Sequence, residues 1–182
     1  YEDHLDFVLE GGSIESDGKG TIFTTSSCLL ADHRNQPLKK DEIEQRLKKL
    51  LNADRILWID HGNLIGDDTD GHIDTLVRIA PSDTLLYVSC DDKSDPQYED
   101  LKAMEEQLMT FRTFEGSPYQ LMKLPMPDAI YDEGERLPAT YANFLVMNKT
   151  VLFPTYHQRY KDEEARKTIQ KAFKGYDIVG ID

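Results

Sequence analysis

The chain has 182 residues, with 21 Lys and Arg against 34 Asp and Glu, a formal charge of −13 and a pI near 4.7. So acidic a balance excludes a nonspecific nucleic-acid binder and argues against docking on an anionic membrane. With 39% hydrophobic residues and a mean hydropathy of −0.56, the composition is that of an ordinary soluble globular protein.

Along the chain, one order of elements passes three times: strand, strand, helix, strand. In the first pass, strands over 6–14 and 20–25 make a hairpin around Glu15-Ser16-Asp17-Gly18-Lys19, whose Asp-Gly supplies the positive φ of a tight turn. A helix over 41–52 follows, with Ile43, Leu47, Leu50 and Leu51 on one stripe, and then a strand at 55–59. The second pass has strands over 72–80 and 84–89 and a helix over 96–113 with Asp95 as N-cap and Pro96 in its first position, closed by a strand at 119–124. The third has strands over 140–147 and 151–153, a helix over 161–174 stopped by Gly175, and a strand at 177–181.

Three ββαβ units without a clear linker predict an α/β (α+β) chain forming a single domain over 1–182, with modules at about 5–60, 72–125 and 139–182. The pattern also admits a generic α+β sheet. The chain starts close to an apolar strand and stops on Val179-Gly180-Ile181-Asp182, which predicts a piece of a longer protein whose apolar edges favour association with a second copy. No apolar run reaches the roughly 18 to 20 residues that cross a bilayer, and Tyr1-Glu2-Asp3-His4 does not open a signal peptide. The two cysteines, Cys28 and Cys90, are too few for a disulfide framework, which fits a reducing cytoplasm. Each reads as a buried small hydrophobe, since neither has a basic neighbour in sequence to lower its pKa.

The stretch richest in chemistry is Gly66-Asp67-Asp68-Thr69-Asp70-Gly71-His72-Ile73-Asp74. Strand alternation over 72–80 puts His72, Asp74, Leu76 and Arg78 on one face, so a histidine and a carboxylate project together as an acid/base and a cation anchor. The same residues also describe a solvated acidic loop ahead of an edge strand. An EF-hand is excluded, because aligning Gly71 with the turn glycine puts Gly66 and Val77 where ligand oxygens are required. Metal binding through His72, Asp74 and Asp67 or Asp68 stays open as a second reading, as does a catalytically dead interaction module. In Leu9-Glu10-Gly11-Gly12-Ser13-Ile14 an acid sits inside an apolar strand beside a glycine pair that permits close approach. In Tyr141-Ala142-Asn143-Phe144 one amide interrupts an apolar strand.

Together with Asp91-Asp92-Lys93-Ser94-Asp95-Pro96-Gln97-Tyr98, these segments resemble, in order and over essentially the whole chain, the agmatine deiminase and bacterial-type peptidylarginine deiminase family of guanidino-group-modifying enzymes. The resemblance implies a five-bladed α/β propeller of ββαβ modules, of which about three are present. It implies hydrolysis of a guanidino group through a covalent cysteine thiouronium, without metal or organic cofactor, on a small cationic substrate: agmatine first, peptidyl arginine as the alternative. His72 is implied as general acid/base, Asp74 as a carboxylate gripping the guanidinium, and Glu10 as the partner of the histidine or part of the guanidinium clamp. Asp68 and Asn143 are implied as substrate-binding. The family's nucleophilic cysteine lies in a Gly-Gly-x-x-His-Cys-type segment and a further guanidinium-binding aspartate lies upstream of the first module; neither matches a position here. The expectation is that the nucleophile lies outside these residues and that the chain alone does not turn over.

Overall fold

The structure, a computed structural model, describes residues 5–182; the acidic start at 1–4 lies outside them. Each predicted pass folds as one three-stranded sheet in which the second strand is central, the first runs antiparallel to it and the third parallel. The first module has strands β1 (Ile14–Ser16) and β2 (Thr21–Thr25), a single helical turn α1 (Ser26–Leu29), helix α2 (Lys40–Leu51) and strand β3 (Arg55–Ile59). The second has β4 (Val77–Ala80), β5 (Thr84–Ser89), α3 (Tyr98–Thr110) and β6 (Gln120–Pro125). A small hairpin, β7 (Tyr131–Asp132) and β8 (Glu135–Arg136), precedes the third module, which has β9 (Leu145–Met147), β10 (Thr150–Pro154), α4 (Arg159–Ala172) and β11 (Asp177–Ile181). In each module the long helix makes the crossover between the two parallel strands, the connection a parallel pair requires.

The central strand of the second module is buried along its whole length because both of its faces are covered. Leu85 and Tyr87 of β5 pack with Phe23 and Ile59 of the first module and with Leu101, Met104 and Leu108 of α3. Leu86, on the opposite face, packs with Tyr141, Phe144, Val151 and Phe153 of the third module. Neighbouring modules therefore share their cores. Among the described residues no helix is long and apolar enough to cross a membrane.

The first strands of the modules are shorter than periodicity predicts. Where a strand over 6–14 was expected, Gly11–Ser13 forms a 3₁₀ turn closed by the Ser13 hydroxyl donating to the Glu10 carbonyl at 2.6 Å, and pairing begins only at Ile14. Where a strand over 72–80 was expected, Ile73–Thr75 forms the same turn, with the Thr75 hydroxyl donating to the His72 carbonyl at 2.8 Å. Short hydroxyl side chains compete for backbone groups in this way and break a strand. Residues 140–144 are likewise irregular, with only Leu145–Met147 paired. Asp95 does not cap α3: its Oδ1 accepts from the Gln97 amide at 2.9 Å and its Oδ2 pairs with Arg136 at 2.8 Å, so the helix starts at Tyr98, beyond Pro96.

Candidate active site

Glu10 and His72 hold equivalent places, each as the residue that caps a one-turn 3₁₀ helix ahead of its module's first strand. The two turns touch. A Cβ on Gly12 would stand 2.7 Å from His72 Nδ1 and 2.8 Å from Asp74 Oδ2, so the bare backbone of the first turn is what lets the second turn's histidine and aspartate lie against it. His72 and Asp74 are thus gathered by a 3₁₀ turn and a glycine, not by the strand alternation expected of 72–80.

His72 turns its Nε2 toward Glu10, 3.4 Å from Oε2, without the alignment of a hydrogen bond. That nitrogen is buried and has no hydrogen-bond partner. Both Glu10 oxygens are held by Arg34, with Nε donating to Oε2 at 2.8 Å and Nη2 to Oε1 at 3.1 Å. One guanidinium thus grips the carboxylate bidentately while Oε2 faces the imidazole. Arg34 is itself only 5% exposed and is fully engaged: Nη1 donates to Asp70 Oδ2 at 2.7 Å and to the Cys28 carbonyl at 3.1 Å, and Nη2 to the Thr69 carbonyl at 2.9 Å. Its hydrogen bonds hold the Glu10 carboxyl below the usual carboxylate range.

The acidic loop is a scaffold for His72. Asp67 accepts from the Gly71 amide at 2.6 Å and from the Thr69 hydroxyl at 2.7 Å, and Thr69 Oγ1 in turn accepts from the His72 amide at 3.1 Å. Gly71 has φ +81° and offers its carbonyl to the Thr25 hydroxyl at 2.6 Å, which ties the loop to β2. Asp68 points away: it is exposed and makes none of these contacts. Asp74, by contrast, is pushed above the usual aspartate range by burial, a shift eased by the charges of Arg78 and His72 and by the Asn143 amide. Asn143 is exposed at the rim beside it.

Sequence reasoning missed two members of this centre. Arg34 lies 24 residues beyond Glu10 in a loop with no periodic signal. Cys28 is fully buried as expected, but its Sγ, Glu10 and His72 offer ligand atoms within 4.8 Å of one another. Burial pushes its thiol up to about 11 against the opposing pull of Arg34. Cys90 is also raised by burial, and its Sγ donates toward the Asp92 carbonyl at 3.5 Å. The metal set of His72, Asp74 and Asp67 or Asp68 does not assemble, because Asp67 is spent on the loop and Asp68 faces solvent.

The fold is of the mixed α/β class seen in solved agmatine and arginine deiminases. The chain belongs to the Porphyromonas-type peptidyl-arginine deiminase family, whose model matches residues 1–182. It is 38% identical to a Marinomonas sp. protein carrying a provisional agmatine deiminase name, over all of this chain and 53% of that one. A Porphyromonas gingivalis structure provisionally described as an arginine deiminase superposes with a TM-score of 0.95 at 49% identity, covering 98% of this chain and 52% of its own. The Campylobacter (C. jejuni) agmatine deiminase with substrate bound superposes with a TM-score of 0.90 at 39% identity, covering 98% of this chain and 51% of its own. The chain spans about half the length of the curated relatives it matches.

Proposed function

We propose that this chain carries the acid/base and guanidinium-binding half of a deiminase that hydrolyses agmatine to N-carbamoylputrescine and ammonia. The observation that carries the reading is the meeting of Glu10, His72 and Asp74 across two equivalent turns, with His72 Nε2 at 3.4 Å from Glu10 Oε2. Asp74 pairs with the planar guanidinium, and the neighbouring charges of Arg78 and His72 offset part of the burial that disfavours its ionisation. A cysteine thiolate adds to the guanidinium carbon, and the carbon–nitrogen bond breaks as His72 gives its proton to the departing ammonia. His72 then takes a proton from water, whose oxygen attacks the thiouronium carbon and releases the ureido product and the thiolate. Glu10, held ionised by Arg34, faces the imidazole and orients it for the first step.

The nucleophile in this reading lies outside the 182 residues, in the further modules of a five-bladed propeller of which this chain supplies three. Two observations support it. The chain spans half of its relatives, and neither of its own thiols suits attack: Cys28 is 0% exposed with its thiol pushed to about 11, and Cys90 is raised by burial and lies off the site. Asn143 stands at the rim of Asp74 and contacts the substrate there. Peptidyl arginine is the second reading, favoured by the description of the family model.

The test is ureido-product formation by the intact polypeptide that carries this chain, with agmatine, free arginine and a blocked arginine amide as substrates, followed by mass spectrometry of the protein quenched during turnover. The expected result is the highest kcat/KM on agmatine and an adduct on a cysteine other than Cys28 and Cys90. A preference for the blocked amide would replace the substrate, and an adduct on Cys28 would overturn the placement of the nucleophile.

A further inference from the structure

Glu10, Cys28 and His72 arrive from three separate pieces of the first two modules: a 3₁₀ turn before β1, the helical turn α1 after β2, and the end of the acidic loop. Each offers a different donor, a carboxylate oxygen, a sulfur and an imidazole nitrogen, and the three atoms lie within 4.8 Å of one another. Around a tetrahedral zinc, with bonds of about 2.0 to 2.3 Å, donors sit roughly 3.5 Å apart, so the set closes on an ion with side-chain shifts of about 1 Å.

We propose that these three side chains form a binding site for a thiophilic divalent cation, zinc in the first instance, and that the bound ion inhibits the acid/base function of His72. Four observations carry it. His72 Nε2 is buried without a hydrogen-bond partner, and the group it faces across 3.4 Å is a carboxylate. Glu10 is fixed by two hydrogen bonds from Arg34, the outer support that ligating carboxylates have in metal centres. His72 Nδ1 and Asp74 Oδ2 both lie against Gly12, each within 3 Å of where its Cβ would stand, so the imidazole is held in place by a packed turn. Cys28 is fully buried, and its carbonyl accepts from Arg34 Nη1 at 3.1 Å, which fixes the turn that carries the sulfur. Sulfur and imidazole donors select zinc or cobalt over calcium and magnesium, which take oxygen ligands.

Binding exchanges the Cys28 thiol proton for the metal and releases that proton to solvent, with no change of oxidation state. It ties up the His72 imidazole, which takes the proton from water in the proposed reaction; the inhibitory half of the inference rests on that reading, and the binding half does not.

Cobalt(II) is the probe, because thiolate ligation gives a near-ultraviolet charge-transfer band and tetrahedral geometry gives intense visible bands. Titrated into the intact polypeptide that carries this chain, cobalt is expected to produce both with one equivalent at this site and zinc to abolish them. The Cys90→Ser variant should keep the signal, while Cys28→Ser should lose the charge-transfer band and His72→Gln should weaken binding at least tenfold. Should Cys28→Ser unfold, the His72→Gln result against Cys90→Ser decides alone. No band in the folded polypeptide, or a band that disappears with Cys90 and survives loss of Cys28, overturns the site. In the intact polypeptide, deimination should fall with added zinc and return with a chelator. Cobalt binding without any deimination would sink the deiminase reading and leave the site, and deimination in a protein that gives no band would do the reverse.

Discussion

The two glycines of Glu10-Gly11-Gly12-Ser13 are not equivalent, and the difference can be tested one methyl group at a time. A Cβ on Gly11 meets nothing within 4 Å, whereas on Gly12 it runs into His72 and Asp74. Gly11→Ala should leave activity and stability almost unchanged. Gly12→Ala should cost about 1 to 3 kcal/mol of stability, the range for forcing a methyl into a packed site, and should lower kcat more than KM because it moves the acid/base group; denaturant midpoints and steady-state kinetics read the two effects. Arg34 acts on Glu10 in the opposite sense. It holds that carboxyl below its ordinary range, so the ionised form persists to lower pH, and it is lost as pH falls through the depressed pKa. Replacing Arg34 with Met should move the acidic limb of the kcat/KM profile to higher pH, and an unmoved limb would show that Glu10 does not support His72. Asp74 carries the other sign. Burial raises its folded pKa, so its ionisation costs stability that is fully paid above that pKa and absent below the unfolded value of about 3.9. Asp74→Asn should therefore stabilise the fold at neutral pH, with the gain fading on acidification, while abolishing turnover.

At the scale of elements, the acidic loop shows what residue type alone reveals and what it conceals. Its histidine and aspartates are legible as a motif, but which carboxylate does what depends on φ angles and backbone amides. Asp67, the third residue before Asp70, serves Gly71 and Thr69, and Asp70 serves Arg34 from a positive φ of 61°. Asp67→Ala should cost about 1 to 3 kcal/mol by leaving a buried amide without its acceptor, whereas Asp68→Ala should be silent in both melting and turnover. The expected strands over 6–14 and 72–80 were misjudged for a related reason. Side-chain alternation persists through Ile73, Thr75 and Val77, but a hydroxyl three residues after each site residue captures its carbonyl and winds the backbone into a turn. Apolar period reports burial, which a 3₁₀ turn against a neighbouring module also provides. The helices were more readable, since α2 and α4 need only one buried stripe, Ile43 and Leu47 in the first and Ala165 and Ile169 in the second.

At the scale of the molecule, Arg78 joins all three modules. From β4 its Nε pairs with Glu15 Oε1 of β1 at 2.5 Å, its Nη1 donates to the carbonyls of Ala142 and Phe144 ahead of β9, and its guanidinium lies 4.5 Å from the centre of the Phe144 ring. Both members of the ion pair are about 85% buried, so Arg78→Met leaves Glu15 without its partner and should cost about 3 to 5 kcal/mol, lowering the cooperative unfolding midpoint of all three modules at once. The threefold order was visible in the sequence because each module repeats a local pattern. The junction was not, because Glu15, Arg78 and Phe144 are separated by more than 60 residues at each step and signal nothing locally. Shorter gaps, 18 and 24 residues from Glu10, hid Cys28 and Arg34 in the same way, because neither carries a local signal pointing to the site built around Glu10 and His72. The most direct test of the central claim, that Glu10, His72 and Asp74 form the working centre of a guanidino hydrolase, is ammonia release from agmatine by the intact polypeptide and by its His72→Ala variant. The account predicts turnover in the first and a loss of at least about 100-fold in the second with folding retained. Equal ammonia release by the two proteins would remove His72 from the chemistry and contradict it.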